Sequence, residues 1–190
     1  MKKKILSLSV IVLCLAILSG GTIAYFTAEE TVRNVITSGG IRIALVEQQL
    51  VDGALVDYPD EPIPVLPGKT VSKIVSVKGV EASAWIRMCY EITAFDADGV
   101  PMDVPAEELE KLVQIAPDSE SWTFSDGWWY CNEAVDSGES TKPLFESVVF
   151  AVDMGNRYQE STVQIDVTAQ AVQQANNGAA VLEAAGWPEA

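Results

Sequence analysis

The sequence predicts an all-β protein, a two-sheet β-sandwich with one short surface helix behind a cleavable leader. Three observations predict it. Period-2 runs rich in β-branched residues recur along the chain, turn dipeptides separate them, and their number, about eight to ten, suits two packed sheets. Only one stretch carries a helix signature.

Met1 to Ala24 has the three-part layout of a secretory signal: Lys2, Lys3 and Lys4, an apolar run from Ile5 to about Leu18, then small residues at Thr22 and Ala24. The apolar run falls short of the ~20 residues that span a bilayer, so cleavage between Ala24 and Tyr25 is expected, with no stable membrane anchor afterwards. Cys14 follows Leu13, where lipid attachment would need a small residue. The expected organisation is 1–24 signal peptide, 25–38 N-terminal segment, and 39–190 a single sandwich domain.

Ile41 to Gln48 alternates as a first strand, and "QQLVDGALVDY" reads as a hairpin turning at Asp52-Gly53. Pro62, Pro64 and Pro67 lack ladder donors, so "PIPVLPGKT" is an edge or a crossing loop. Val71 to Lys78 alternates again. Ser83 to Phe95 is the longest strand candidate, with Ala84, Ile86, Met88, Tyr90 and Ile92 on the face expected to be core. Pro105 to Val113 carries the helix signature, a first-turn proline, early acidic residues and Leu109 and Leu112 three apart. Trp122 to Phe124, Trp128 to Asn132, Ser147 to Met154 and Ser161 to Ala171 complete the strands, and Ala179 to Ala185 is a helix candidate near the C-terminus.

The chain carries 12 basic and 27 acidic residues, a net charge of −15; without the three leader lysines it is −18. Such a field repels nucleic acid and anionic lipid and attracts basic partners or divalent cations. Histidine is absent, which removes the commonest general base and the commonest zinc ligand, and with them HExxH sites and Ser-His or Cys-His dyads. No catalytic residue, metal or cofactor is expected. "FDADGVPMD" gathers Asp96, Asp98 and Asp103 around Gly99 without the ligand spacing of an EF-hand loop, and is expected to be a solvated turn. In "DGWWYCNEAV" alternation puts Trp128 and Tyr130 in the core and Trp129 at a rim, with a sugar-stacking platform as the other reading. Cys89 and Cys131 remain after cleavage. Their even number in an exported chain suggests a disulfide worth ~4 kcal/mol in the chain-entropy picture, against two buried thiols.

"GGTIAYFTAEETVRNVITSGGIRIAL", with Gly20, Gly21, Thr22, Ala24, Phe26, Asn34, Thr37 and Gly39, resembles the junction of Gram-positive exported proteins processed by SipW-type signal peptidase, the family of TasA and camelysin. "VLPGKTVSKIVSVKGVEASAWIRM" and "PLFESVVFAVDMGNRYQESTVQIDVTAQAVQ" extend the resemblance over most of the chain, least clearly from Phe95 to Ser121. The resemblance implies a secreted, non-enzymatic jelly-roll protein that polymerises with itself into fibres of the biofilm matrix, some members being spore-coat associated, with other matrix proteins or polysaccharide as further partners. It also implies that the segment after the cut, Tyr25 to Ile36, acts as a donor strand anchored by Phe26, Val32 and Ile36 in the next subunit's sheet. The alternative for that segment is a strand within its own subunit. Alternatives for the whole are a secreted carbohydrate-binding or adhesion module and, behind it, a secreted hydrolase. Camelysin's label as a metallopeptidase finds no ligand set here.

Overall fold

The computed structural model describes residues 26–29, 33–37, 41–60, 62–79, 81–158 and 160–188. Twelve strands form two sheets: β1 (Phe26–Glu29), β2 (Arg33–Thr37), β3 (Ile43–Val51), β4 (Ala54–Asp57), β5 (Ile63–Val65), β6 (Thr70–Gly79), β7 (Ala84–Phe95), β8 (Val113–Ile115), β9 (Trp122–Ser125), β10 (Trp128–Cys131), β11 (Phe145–Phe150) and β12 (Thr162–Gln173). Among the described residues one α-helix, α1 (Ala106–Leu112), crosses between β7 and β8. The larger sheet runs β5-β1-β12-β7-β10-β9, with β2 also on β12; the smaller runs β4-β3-β6-β11-β8. The chain is a β-sandwich with one short helix, as its alternation predicts.

The core lies between the sheets because inward positions are apolar at every second residue. Ala84, Ile86 and Met88 of β7 and Val163, Ile165, Val167, Ala169 and Ala171 of β12 face Ile43 and Leu45 of β3 and Val75 and Val77 of β6. Tyr90 and Ile92, expected in the core, are half-buried at its margin. On β11 the buried residues Phe145, Val148 and Phe150 break the alternation. A one-residue register shift between Phe145 and Ser147 is the cause: the bulge re-phases the strand so that residues on both sides of it face inward.

The hairpin joining β3 to β4 turns at Asp52 (φ 50°) and Gly53 (φ 83°), both left-handed, which matches the twist of the flanking strands. Beyond the sandwich this hairpin exposes Leu50, Val51, Leu55 and Val56. The proline segment forms β5, which among the described residues pairs with β1 alone, an edge position that tolerates the missing N–H of Pro64. α1 buries Leu109 and Leu112, the pair three apart. The helix signature was expected to run to Val113, but Val113 begins β8, paired with Phe150. Its β-branched side chain is 1% exposed and finds its packing in the sheet. Ala179 to Ala185 holds only a short 3-10 turn, Val181–Glu183, because the tail is fixed by tertiary bonds rather than by a helix of its own.

Candidate assembly site along the outer edge of β12

β12 is the longest strand together with β7, and the two pair antiparallel without a break from Thr162↔Phe95 to Gln173↔Ala84. Its opposite edge is covered by residues from the start of the described chain. β1 lies parallel to it at Thr27↔Thr162 through Glu29↔Gln164, and β2 continues parallel from Arg33↔Val167 to Thr37↔Ala171. β1 also pairs antiparallel with β5, at Phe26↔Val65 and Ala28↔Ile63. Without β1, a slot would open between β5 and β12, and β12 would present unpaired backbone beside a row of buried apolar side chains. Such an edge is a template for any strand that can reach it.

Phe26 and Ile36, two of the expected anchors, are placed by backbone register against Val65 and Gln170 respectively. Ala24 and Tyr25, the expected cut, and Val32, the third anchor, lie outside the described residues. In the single chain the segment closes its own sheet, the arrangement of the within-subunit alternative.

The disulfide expected between Cys89 and Cys131 is not formed; both are free thiols. Alternation explains why. Cys89 shares the outward face of β7 with Trp85 and Arg87, whereas Cys131 belongs to the core between the sheets. Two side chains on opposite faces of one sheet cannot meet. Burial raises the pKa of both thiols above the ordinary value.

The aromatic run also departs from expectation. Trp129, expected at a rim, packs against the main core, while Trp128 and Tyr130 face away from it. They join Trp85, Val172, Val181 and Trp187 in a second cluster on the outer face of the larger sheet. Arg87 stands at its centre. Its guanidinium carbon lies 4.3 Å from the Trp128 ring centroid and 4.7 Å from that of Trp187. Its nitrogens donate to Gln170 Oε1 at 2.9 and 2.6 Å, to Tyr130 Oη at 3.1 Å and to the Pro188 carbonyl at 3.2 Å. The C-terminal tail is the cover. Asn177 binds it by accepting from Ala185 N and donating to the Ala185 carbonyl, and Trp85 Nε1 donates to the Asn177 carbonyl at 2.9 Å. Gly178 is required there: at φ 74° an added Cβ would meet backbone atoms of Glu183 and Ala184 at 3.0 Å. The sequence hinted at this layer, since Trp85 and Cys89 are poor choices for a solvated strand face and a further Trp ends the tail.

The surface also carries cavities. One of about 230 Å³ is bordered by Cys131, Glu133, Glu139 and Lys142; another of about 410 Å³ lies between β7 and α1, with Ile92, Met102 and Val104 in its wall. The Asp96 carboxylate accepts from Asp98 N and Val100 N, so this oxygen serves the turn itself. Among the described residues no group of three His, Cys, Asp or Glu side chains could hold a metal ion, and no helix is long and apolar enough to cross a membrane. No family model, curated protein or solved structure matches the chain.

Proposed function

We propose that this chain is an exported structural protein of the extracellular matrix that assembles head to tail by exchanging its N-terminal strands. The observation that carries the reading is the pairing of β1 and β2 along β12. Both lie parallel on its outer edge, and five residues, 38–42, join them to β3. A neighbour's residues 26–37 would make the same backbone pairs as the chain's own, so exchange conserves contacts and converts a closed monomer into an open chain. Removal of a leader that ends just before β1 would then set the moment at which the strands become exchangeable. The family resemblance of the same segment points the same way.

The test compares protein beginning at Tyr25 with protein beginning at Gly39. Light scattering and electron microscopy should show growth into filaments for the first. The second should not elongate, and should bind a free peptide of residues 25–38 with one-to-one stoichiometry. Identical monomers from both, with no peptide binding, would refute exchange.

One observation favours a second reading. Phe124, 57% exposed, lies against Trp129 with ring centroids 5.0 Å apart, an aromatic pair that could stack on a sugar ring. A glycan that binds the protein, and whose binding Phe124→Ala abolishes without changing filament growth, would assign an adhesion role alongside assembly.

A further inference from the structure

Glu47 and Lys73 are charged residues on the inward face of the sandwich. Glu47 continues the inward series Ile43 and Leu45 on β3, and Lys73 continues Val77 and Val75 on β6. Each side chain is 3% exposed, and Lys73 Nζ lies 3.1 Å from Glu47 Oε1. The strands pair antiparallel with Glu47 opposite Val75, so Lys73 reaches along the sheet from two positions away. Nζ also stands 3.8 Å from the centroid of the Tyr58 ring. Tyr58 is held in place as its N–H donates to the Glu47 carbonyl at 3.0 Å, and it is 7% exposed. An amine, a carboxyl group and an aromatic wall are thus fixed together out of water.

As an ammonium and a carboxylate, such a pair carries a desolvation penalty of several kcal/mol per ion. Transfer of one proton from nitrogen to oxygen removes both charges and leaves a nucleophilic amine against a carboxylic acid. Holding reactants in this way is worth effective molarities of about 10⁵ M or more for well-oriented groups. We propose that Lys73 and Glu47 condense into an amide that cross-links β3 to β6.

The balance is that of a dehydration. The ammonium and carboxylate have three N–H protons and two oxygens between them. The nitrogen lone pair forms the Nζ–Cδ bond, one Cδ–O bond breaks, and that oxygen leaves with two of the three protons as water. The third proton stays on the amide nitrogen, and no oxidant or other reagent is needed. Tyr58 remains a neutral phenol beside the reacting groups, since its pKa is pushed up to about 12, chiefly by burial. The bond does not depend on the assembly reading, but it would serve it. A pull on a donated N-terminal segment reaches the domain through residues 38–42 and therefore through β3, and an amide to β6 keeps β3 from being peeled away.

Tryptic mapping of the folded, purified full chain tests the proposal. Cleavage after Arg42, Lys69 and Lys78 should yield Ile43–Lys69 joined to Thr70–Lys78, uncut after Lys73 and lighter by one water than the two peptides together. Loss of water alone would not suffice, because Asp52-Gly53 in the same peptide can cyclise with the same mass change; the missing cut and the joined peptides distinguish the two. Glu47→Gln, which keeps the shape, should lose ammonia and reach the same final mass as the wild type. Lys73→Arg, which trypsin still cuts at position 73, should give three separate peptides, 43–69, 70–73 and 74–78, with no cross-link between them. Ordinary cleavage after Lys73 in the wild-type protein, with Ile43–Lys69 recovered as a separate peptide, overturns the proposal.

Discussion

The two edges of β12 carry one strand's worth of backbone in two different ways. Toward β7 there are twelve consecutive antiparallel pairs. Toward the N-terminal segment there are, among the described residues, three parallel pairs with β1 and five with β2. Parallel pairing is slightly weaker per residue than antiparallel pairing. The β7 edge is further clamped on both faces, by the core on one side and by Arg87, Gln170 and the tail on the other. One neighbour is built in, and the other is of a kind that can be replaced by an identical segment. That asymmetry is what strand exchange needs, since only the second contact has to open.

Proline substitution on each edge breaks the comparison most directly. Met88 has a strand on both sides, opposite Ala169 of β12 and Trp129 of β10, so its N–H lies in a ladder whichever way it points. Met88→Pro removes that bond and a core side chain that is 0% exposed, a cost above ~3 kcal/mol, and should abolish cooperative unfolding in circular dichroism melts. Val35→Pro, in the middle of β2, should leave the domain folded while residues 26–37 become the first site of limited proteolysis. Equal damage from both would mean that the two edges are equally integral to the domain.

Alkaline titration sharpens the same contrast with a smaller effect. Tyr58 lies in the connection to β5, the strand that flanks β1, and Tyr158 lies just ahead of β12. Burial raises both from the ordinary 10.0 to about 12, assisted at Tyr58 by the Glu47 charge and at Tyr158 by its hydrogen bond to Glu108. A folded-state pKa above the unfolded one gives stability that is complete below pH 10 and lost as pH climbs toward 12. The Tyr58 contribution is about 3 kcal/mol at most. Denaturant midpoints should hold steady up to pH 10 and then fall, and Tyr58→Phe should flatten the fall. A midpoint independent of pH in that window would show that neither phenol is held neutral by its surroundings.

Where alternation alone decides the outcome, the sequence was legible. The long strand at 84–95, the hairpin at Asp52-Gly53, the edge role of the prolines and the surface helix follow from local pattern. The inner face of β7 was readable because its apolar residues recur at every second position. Its outer face was not, because a solvated face and one covered by a distant tail look alike until the cover is known. The same gap misdirected Trp128 and Trp129: alternation separates the two, but only the neighbouring strands say which side is the main core. The cysteines failed for a related reason, since an even count carries no information about faces. As for the assembly site, the β-capable segment after the leader could be read, whereas its partner, the edge of β12 some 130 residues away, is a property of topology.

The smallest expected effect concerns the clamp on the outer face. Arg87 bridges β7 to Gln170 on β12 through two donors of its planar fork, touches β10 through Tyr130, and lies between the rings of Trp128 and Trp187. Lysine keeps the charge but has neither the fork nor a flat face for stacking, so Arg87→Lys should cost about 1–2 kcal/mol. The loss should fall on the tail before it reaches the ladder. Trp187 fluorescence should report a transition at lower denaturant than the main unfolding, which should move little, because the antiparallel pairing and the core face of β7 are untouched. If both transitions moved together, the tail and the β7–β12 ladder would form one cooperative unit, and β12 would owe its permanent edge to the cover as much as to the strand beside it.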